Sequence, residues 1–224
     1  MKTISAFLQT VTHNKSNYRT IQTFREHHPN SDITIYSDNG ENFSDWAKEF
    51  NTNFLIDNNK ADPRGRLDKN KLSTYLYRIQ QHCLISESEY VVILEDDVMT
   101  YKTIALYPDT ECAGPRMIPY SYQLNMYLRK KFSTSDLYGY GMCGGSIFMR
   151  NKFLDSISTL TEAIDLHILD NRVCSYSDVG LTLIFQLMGY KYSIWKDVSE
   201  KFHSDPRQRI FRDAALDHND KRLY

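Results

Sequence analysis

An α/β fold with a mostly parallel central sheet flanked by helices follows from three features of the sequence. Over residues 4–94, short apolar or β-branched runs alternate with segments of helical period. The segments between them are long enough to serve as crossovers between parallel strands. One run, Val91-Val92-Ile93-Leu94, is aliphatic without a break, as expected of a strand covered on both faces.

Taken in order, Ile4 to Thr10 reads as the first strand, and Asn14 as the cap of a helix in which Tyr18, Ile21 and Phe24 recur on one side. Ile33 to Ser37 reads as a second strand, closed by the turn Asp38-Asn39-Gly40. Ser44 is expected to cap a short helix carrying Trp46 and Phe50, and Asn53 to Ile56 to form a third strand. Leu72, Leu76, Ile79 and Cys83 mark a longer helix leading into the central strand, Tyr90 to Leu94. The second half is less regular. It reads as Tyr-rich loops between 101 and 143, a strand from Ser146 to Met149 and a helix from Phe153 to Leu166, then an apolar helix from Val179 to Met188 and a strand from Lys191 to Trp195. Binding residues concentrate in such irregular chain.

The length of 224 residues fits a single domain, and no internal repeat or long linker interrupts it. With 27 Lys+Arg against 28 Asp+Glu the formal charge is -1, so nucleic acid is not an expected partner. The apolar stretch within Met1 to Thr10 is too short for a secretion signal. The longest aliphatic run falls far below the roughly 18 residues of a membrane helix, so no membrane span is expected. Cysteines at 83, 112, 143 and 174 form neither a CxxC knuckle nor a disulfide cadence, which suits a soluble protein of the reducing cytoplasm. The 16 Tyr and 11 Phe suit sugar stacking and core packing equally.

Three acids, Glu95-Asp96-Asp97, follow the aliphatic run directly, and α/β sheets bind ligands at the carboxyl ends of their strands. Along an extended chain Glu95 and Asp97 would face one way and Asp96 the other, giving a carboxylate pair able to hold a hard divalent ion. A strand end tipped with solvated acids is the alternative.

The run Val91 to Val98 resembles the DXD-type motif of GT-A glycosyltransferases, written with Glu in its first place. That resemblance implies a Mn²⁺ or Mg²⁺ ion on the diphosphate of a nucleotide sugar. Asp97 would be its direct ligand, with Glu95 and Asp96 contacting metal or ribose. Gly139-Tyr140-Gly141-Met142-Cys143-Gly144-Gly145-Ser146 is similar to the family's glycine-rich loop, in which Gly144 and Gly145 would admit the sugar diphosphate; a tight turn is the other account. Ser175-Tyr176-Ser177-Asp178-Val179-Gly180 resembles the acidic motif heading the acceptor-side helix, though Ser177 stands where the family often has a second acid. By this resemblance Asp178 is the base of an inverting transfer; at a helix start a carboxylate also serves as a cap.

His203 matches the C-terminal histidine that completes the metal site in many GT-A proteins, and Arg207 and Arg209 beyond it suit a diphosphate clamp. Thr10, Thr12, Asn14 and Asp38 occupy places where such proteins hold the nucleotide base, and Arg64, Arg66 and Lys71 would meet base or phosphates. Tyr120, Tyr122, Tyr127, Tyr138 and Tyr140 are candidates for an acceptor cleft. The resemblance spans residues 3 to 210 and implies one GT-A (Rossmann-like) domain over 1–224. It would divide into a nucleotide-binding half (1–100), an acceptor-binding half (101–210) and a C-terminal tail (211–224), as in small soluble enzymes of bacteria and large DNA viruses. The implied reaction moves a sugar from a nucleotide-diphosphate sugar, UDP-sugar favoured, to a hydroxyl of a glycan or glycoprotein acceptor.

Two other enzyme classes fit less well. Nucleotidyltransferases carry a glycine-rich basic loop after the first strand, where this chain has Thr10-Val11-Thr12-His13-Asn14, and haloacid-type phosphatases need an Asp nucleophile where Glu95 stands. A non-catalytic nucleotide- or carbohydrate-binding module with a structural cation is the remaining reading.

Overall fold

A computed structural model describes residues 3–58, 69–105, 110–115, 118–119, 126, 129–130, 138–140, 142, 144–156, 177–195, 197–200 and 215–218. The first half alternates as the sequence predicts: β1 (Ile4–Thr10), α1 (Lys15–His27), β2 (Ile33–Ser37), α2 (Ser44–Phe50), β3 (Asn53–Ile56), α3 (Lys69–Ile85) and β4 (Tyr90–Leu94). After it come β5 (Val98–Thr100), β6 (Cys112–Gly114), β7 (Ile118–Pro119), β8 (Tyr138–Tyr140), β9 (Ile147–Met149), α4 (Arg150–Asp155), α5 (Ser177–Leu187), β10 (Tyr192–Ile194), β11 (Val198–Glu200) and β12 (Leu216–His218).

Seven strands form the central sheet in the order β10-β6-β9-β4-β1-β2-β3. Four of its six pairings are parallel, and β9 runs antiparallel to both β4 and β6. The chain steps outward from β1 to β2 and β3, then returns to place β4 on the other side of β1. That reversal opens a crevice between the carboxyl ends of β1 and β4, the usual ligand position in such sheets. A small sheet, β11-β12-β5, continues the chain beyond β4.

Period-two alternation explains how the sheet takes helices on both faces. Phe7, Val91 and Ile93 point into one core with Leu72, Leu76 and Ile79 of α3, Phe153 of α4 and Leu181, Ile184 and Phe185 of α5. Ala6, Leu8, Val92 and Leu94 point into the other, with Ile21 and Phe24 of α1 and Trp46 and Phe50 of α2. Both faces of β4 are covered, so Tyr90 to Leu94 are all buried.

Local chemistry sets the element ends. Asn14 caps α1 as expected, its Oδ1 accepting from the Asn17 amide at 2.8 Å. Ser44, expected to cap α2, is instead its first helical residue. Phe43 occupies the cap without a side-chain bond, because its ring is committed to the core, and Asn42 Oδ1 accepts from the Ser44 amide. The helix expected from Phe153 to Leu166 starts at Arg150 and stops at Asp155, where Ser156 turns back to the Phe153 carbonyl; residues 157–166 lie outside the described residues. The stretch 101–143, read as loops, contributes β6, β7 and β8, strands of two or three residues recognisable through their partners rather than by pattern. Cys83 and Cys112 are buried free thiols. Among the described residues no helix is long and apolar enough to cross a membrane.

Candidate functional site

The acidic triplet is not extended. Glu95 to Val98 form a turn closed by the Val98 amide on the Glu95 carbonyl at 3.1 Å, so the strict alternation expected of Glu95, Asp96 and Asp97 does not apply. The turn is what carries the chain from β4 into β5, and it leaves all three acids half-buried at the carboxyl end of the central strand.

A row of hydroxyls on α1 holds this turn. Ser16 Oγ donates to the Asp96 carbonyl, Thr20 Oγ1 donates to the Glu95 carbonyl at 3.2 Å, and Thr23 Oγ1 accepts from the Thr100 amide at 3.2 Å. Spacings of four and three place the hydroxyls one above another on a single helix face. The apolar period of α1 marks its core-facing side and not this polar one. Its signal was nonetheless present as Ser16, Thr20 and Thr23 at helical spacing.

The glycine segment meets the acids. A Cβ placed on Gly144 would stand 2.9 Å from Glu95 Cβ and 3.0 Å from Glu95 Cδ, so only glycine lets the backbone pass this close. Gly145 takes φ of +80° and sends its amide to the Ile93 carbonyl at 2.8 Å, entering β9 beside β4. The tight-turn account of these glycines therefore holds at Gly145, and the close approach at Gly144 is to the Glu95 and Val98 side chains. Two residues earlier, the Met142 amide donates to Thr182 Oγ1 on α5 at 2.9 Å. Asp178 lies one turn before Thr182, in the first turn of α5 rather than at its cap, about 6 Å along the axis. The acid turn thus meets the glycines directly, and the segment before the glycines meets the middle of α5 at Thr182.

The nucleotide-side candidates are mostly engaged within the protein. Thr10 is buried, with its Oγ1 on the Thr12 carbonyl at 3.5 Å. Asn14 Nδ2 donates to Thr12 Oγ1 at 3.2 Å while its Oδ1 caps the helix. Asp38 is fully buried in an ion pair with Arg78 of α3, a fully buried guanidinium that also donates to Gln9 Oε1 at 2.9 Å and reaches Asp57 at 3.3 Å. Its plane lies over the Tyr36 ring at 4.9 Å. Sequence reasoning missed Arg78, since a cation within a helix carries no mark of the acids that bury it. Lys71 stands half-buried in the first turn of α3. Arg64, Arg66, His203, Arg207 and Arg209 lie outside the described residues, as do Tyr120, Tyr122 and Tyr127.

As possible metal donors, Glu95 and Asp97 offer hard carboxylate oxygens of the kind Mn²⁺ and Mg²⁺ accept. Among the described residues, no three His, Cys, Asp or Glu side chains gather as a complete cage. The chemistry of these two acids suits such an ion, and a site built on them would need further donors from elsewhere.

One arrangement imitates a catalytic dyad. Ser5 Oγ lies 2.8 Å from His82 Nε2, and His82 Nδ1 lies 2.8 Å from Thr34 Oγ1. All three are fully buried, Ser5 and Thr34 near the amino ends of β1 and β2 and His82 near the carboxyl end of α3, away from the crevice, and burial pushes the His82 pKa down to about 3. With no path to a substrate, this is a packed polar knot.

The sequence matches no known family profile and no curated protein. Among solved structures, the apo form of WbbM, a bifunctional glycosyltransferase, superposes with a TM-score of 0.59 at 12% identity, over 97% of this chain and 45% of that one. The chain therefore spans less than half of that protein's length, and at this identity the likeness is one of fold. It joins the seven-stranded sheet to a glycosyltransferase-like Rossmann architecture.

Proposed function

We propose that this chain is a glycosyltransferase that moves a sugar from a nucleotide-diphosphate sugar, UDP-sugar favoured, to a hydroxyl of a glycan or glycoprotein. The observation that carries the reading is the acid turn at the β1/β4 crevice with Gly144 packed against Glu95, and the segment before it bonded to α5 at Thr182, one turn from Asp178. In this reading the acid contacts the donor, the glycine backbone gives it room, and Asp178 is the candidate base. The fold shared with a glycosyltransferase supports it.

In this reading Asp97 and Glu95, with His203, hold Mn²⁺ or Mg²⁺, which when bound neutralises charge on the leaving diphosphate. Asp96 and Lys71, with Arg64, Arg207 and Arg209, contact ribose or phosphates. Thr10, Thr12, Asn14 and Asp38 shape the base side of the crevice. Gly144 and Gly145 let the donor approach the backbone. Asp178 takes the proton from the attacking acceptor hydroxyl, which gives inverted configuration if it stands opposite the leaving group.

Thermal unfolding with a panel of nucleotide sugars, each with and without MnCl₂, tests this. One donor at a hundredfold its Kd adds about 2.7 kcal/mol of stability, roughly 5–11 °C in Tm for a chain of this size. Asp97→Ala should abolish the Mn²⁺-dependent shift. Asp178→Asn should keep the shift and lose transfer. A shift without turnover in the unaltered protein would favour the binding-module reading, and no shift for any nucleotide sugar would end the proposal.

A further inference from the structure

His13 sits in the loop between β1 and α1, at the rim of the crevice, with each ring nitrogen against a different carboxylate. Nδ1 lies 2.6 Å from Glu41 Oε1 and Nε2 lies 3.3 Å from Asp45 Oδ1. A neutral imidazole has one N–H, so its other nitrogen would turn a lone pair toward a carboxylate; the imidazolium alone donates to both. The His13 amide also donates to Glu41 Oε1 at 3.2 Å. The ring stacks on Phe43 at 4.2 Å and 26°, and Trp46 meets it at 4.6 Å and 75°. The two acids and two rings all come from the β2–α2 connection and α2, so every contact ties the β1–α1 loop to the neighbouring unit.

We infer that His13 is an imidazolium clasp: protonated, it pins the β1–α1 loop to α2 at the mouth of the crevice, and on losing its proton it releases that loop. Water reaches the clasp, since the His13 and Glu41 side chains are 32% and 35% exposed. The charged and titratable groups around it are Glu41 from the β2–α2 connection, Asp45 from α2, and Lys15 and Tyr18 from α1, which share a hollow of about 320 Å³ with it. The Tyr18 hydroxyl is bound to Glu49. Two carboxylates in contact outweigh the one cation nearby. Partial burial opposes the proton, but the hydrogen bonds and charges of Glu41 and Asp45 outweigh it and raise the pKa above the usual histidine value. A raised folded pKa means the clasp contributes fully below the unfolded value of 6.5 and is lost as pH rises through the folded one.

The inference does not depend on the sugar-transfer reading, and its test needs no ligand. Ring-carbon NMR of His13 and hydrogen exchange of the His13 amide, corrected for intrinsic rate, are followed from pH 5.5 to 8.5 in the unaltered protein, His13→Gln and Glu41→Gln. The expected midpoint lies above 6.5, and amide protection falls across it. The fold-loss of protection should match ten raised to the displacement of the midpoint. His13→Gln should show low protection at every pH, and Glu41→Gln a lower midpoint. A midpoint at or below 6.5, pH-independent protection in the unaltered protein, or a pH dependence that survives His13→Gln would each overturn the clasp.

Discussion

Replacing Gly144 by alanine tests the contact on which the candidate site is built. The new Cβ would lie 2.9 Å from both Glu95 Cβ and Val98 Cγ2, roughly 0.6–1.1 Å inside ordinary carbon–carbon separation. Neither neighbour yields cheaply, because these are the root of the Glu95 side chain and a fully buried valine. Overpacking of this kind costs about 1–3 kcal/mol, or roughly 2–12 °C in Tm at this chain length. Gly189→Ala is the control. Gly189 has φ of +79° and nothing within 4 Å of a built Cβ, so the change carries backbone strain alone, about 1–2 kcal/mol. Gly145→Ala combines φ of +80° with a contact of 2.7 Å to Val198 Cγ2 and should be the most damaging of the three. Urea denaturation ranks them. Titration with the donor found in the thermal panel then separates local strain from damage to the site: Gly144→Ala pushes Glu95 aside and should weaken cation-dependent binding roughly 10- to 100-fold, the scale of one charge-assisted hydrogen bond. Gly189→Ala should leave it unchanged. If Gly144→Ala is as stable as the unaltered protein, or if both variants bind equally well, the close approach of Gly144 to Glu95 is wrong.

Three further outcomes follow from the geometry. Arg78→Met should cost about 3–5 kcal/mol in urea denaturation by removing the guanidinium paired with the buried Asp38 carboxylate, and Arg78→Met with Asp38→Leu should recover much of that loss; an equal loss in the double variant would refute the charge account. Ser16→Ala and Thr20→Val should each cost about 0.5–1.5 kcal/mol and speed hydrogen exchange at the Val98 amide, which closes the acid turn; unchanged exchange would show that α1 does not hold the turn. Burial lowers the pKa of His28 to about 4 and of His82 to about 3, whereas both take a proton near pH 6.5 in the unfolded chain. Stability is therefore full above pH 6.5 and falls as pH drops toward those values, by up to about 1.4 kcal/mol per pH unit for each histidine. Denaturation midpoints between pH 7.5 and 4.5 measure the slope, and His82→Gln should reduce it.

The elements that were legible from the sequence are those whose pattern outlasts a few residues. β1, β2, β3 and β4 have the bounds that their apolar runs and flanking turns imply, and α1 begins at the cap that Asn14 implies. Patterns failed where one residue served two demands. Ser44 looked like a cap, yet Phe43 took that place because the core claims its ring. The end of the strand at Leu94 suggests an extended chain through the acids at 95–97, but the chain turns there to reach β5, and no periodicity marks a turn built from three carboxylates. A strand of three residues such as β6, which the sequence leaves among loops, owes its existence to the Cys112↔Tyr192 register rather than to composition.

The sequence by itself determined the alternation of strands and helices and the placing of acids directly after the most apolar strand. It also supplied glycines before β9 and an acid near the start of α5. Each of these is written in neighbouring residues, through side-chain period and turn chemistry. Tertiary structure alone decided which of them touch. Gly144 meets Glu95 across 49 positions because β9 lies antiparallel to β4, and Arg78 is buried because β2 and β3 bring Asp38 and Asp57 to it. His13 faces two carboxylates because α2 packs beside α1. Contact between distant segments is set by crossover direction and strand order, which no local stretch of chain encodes.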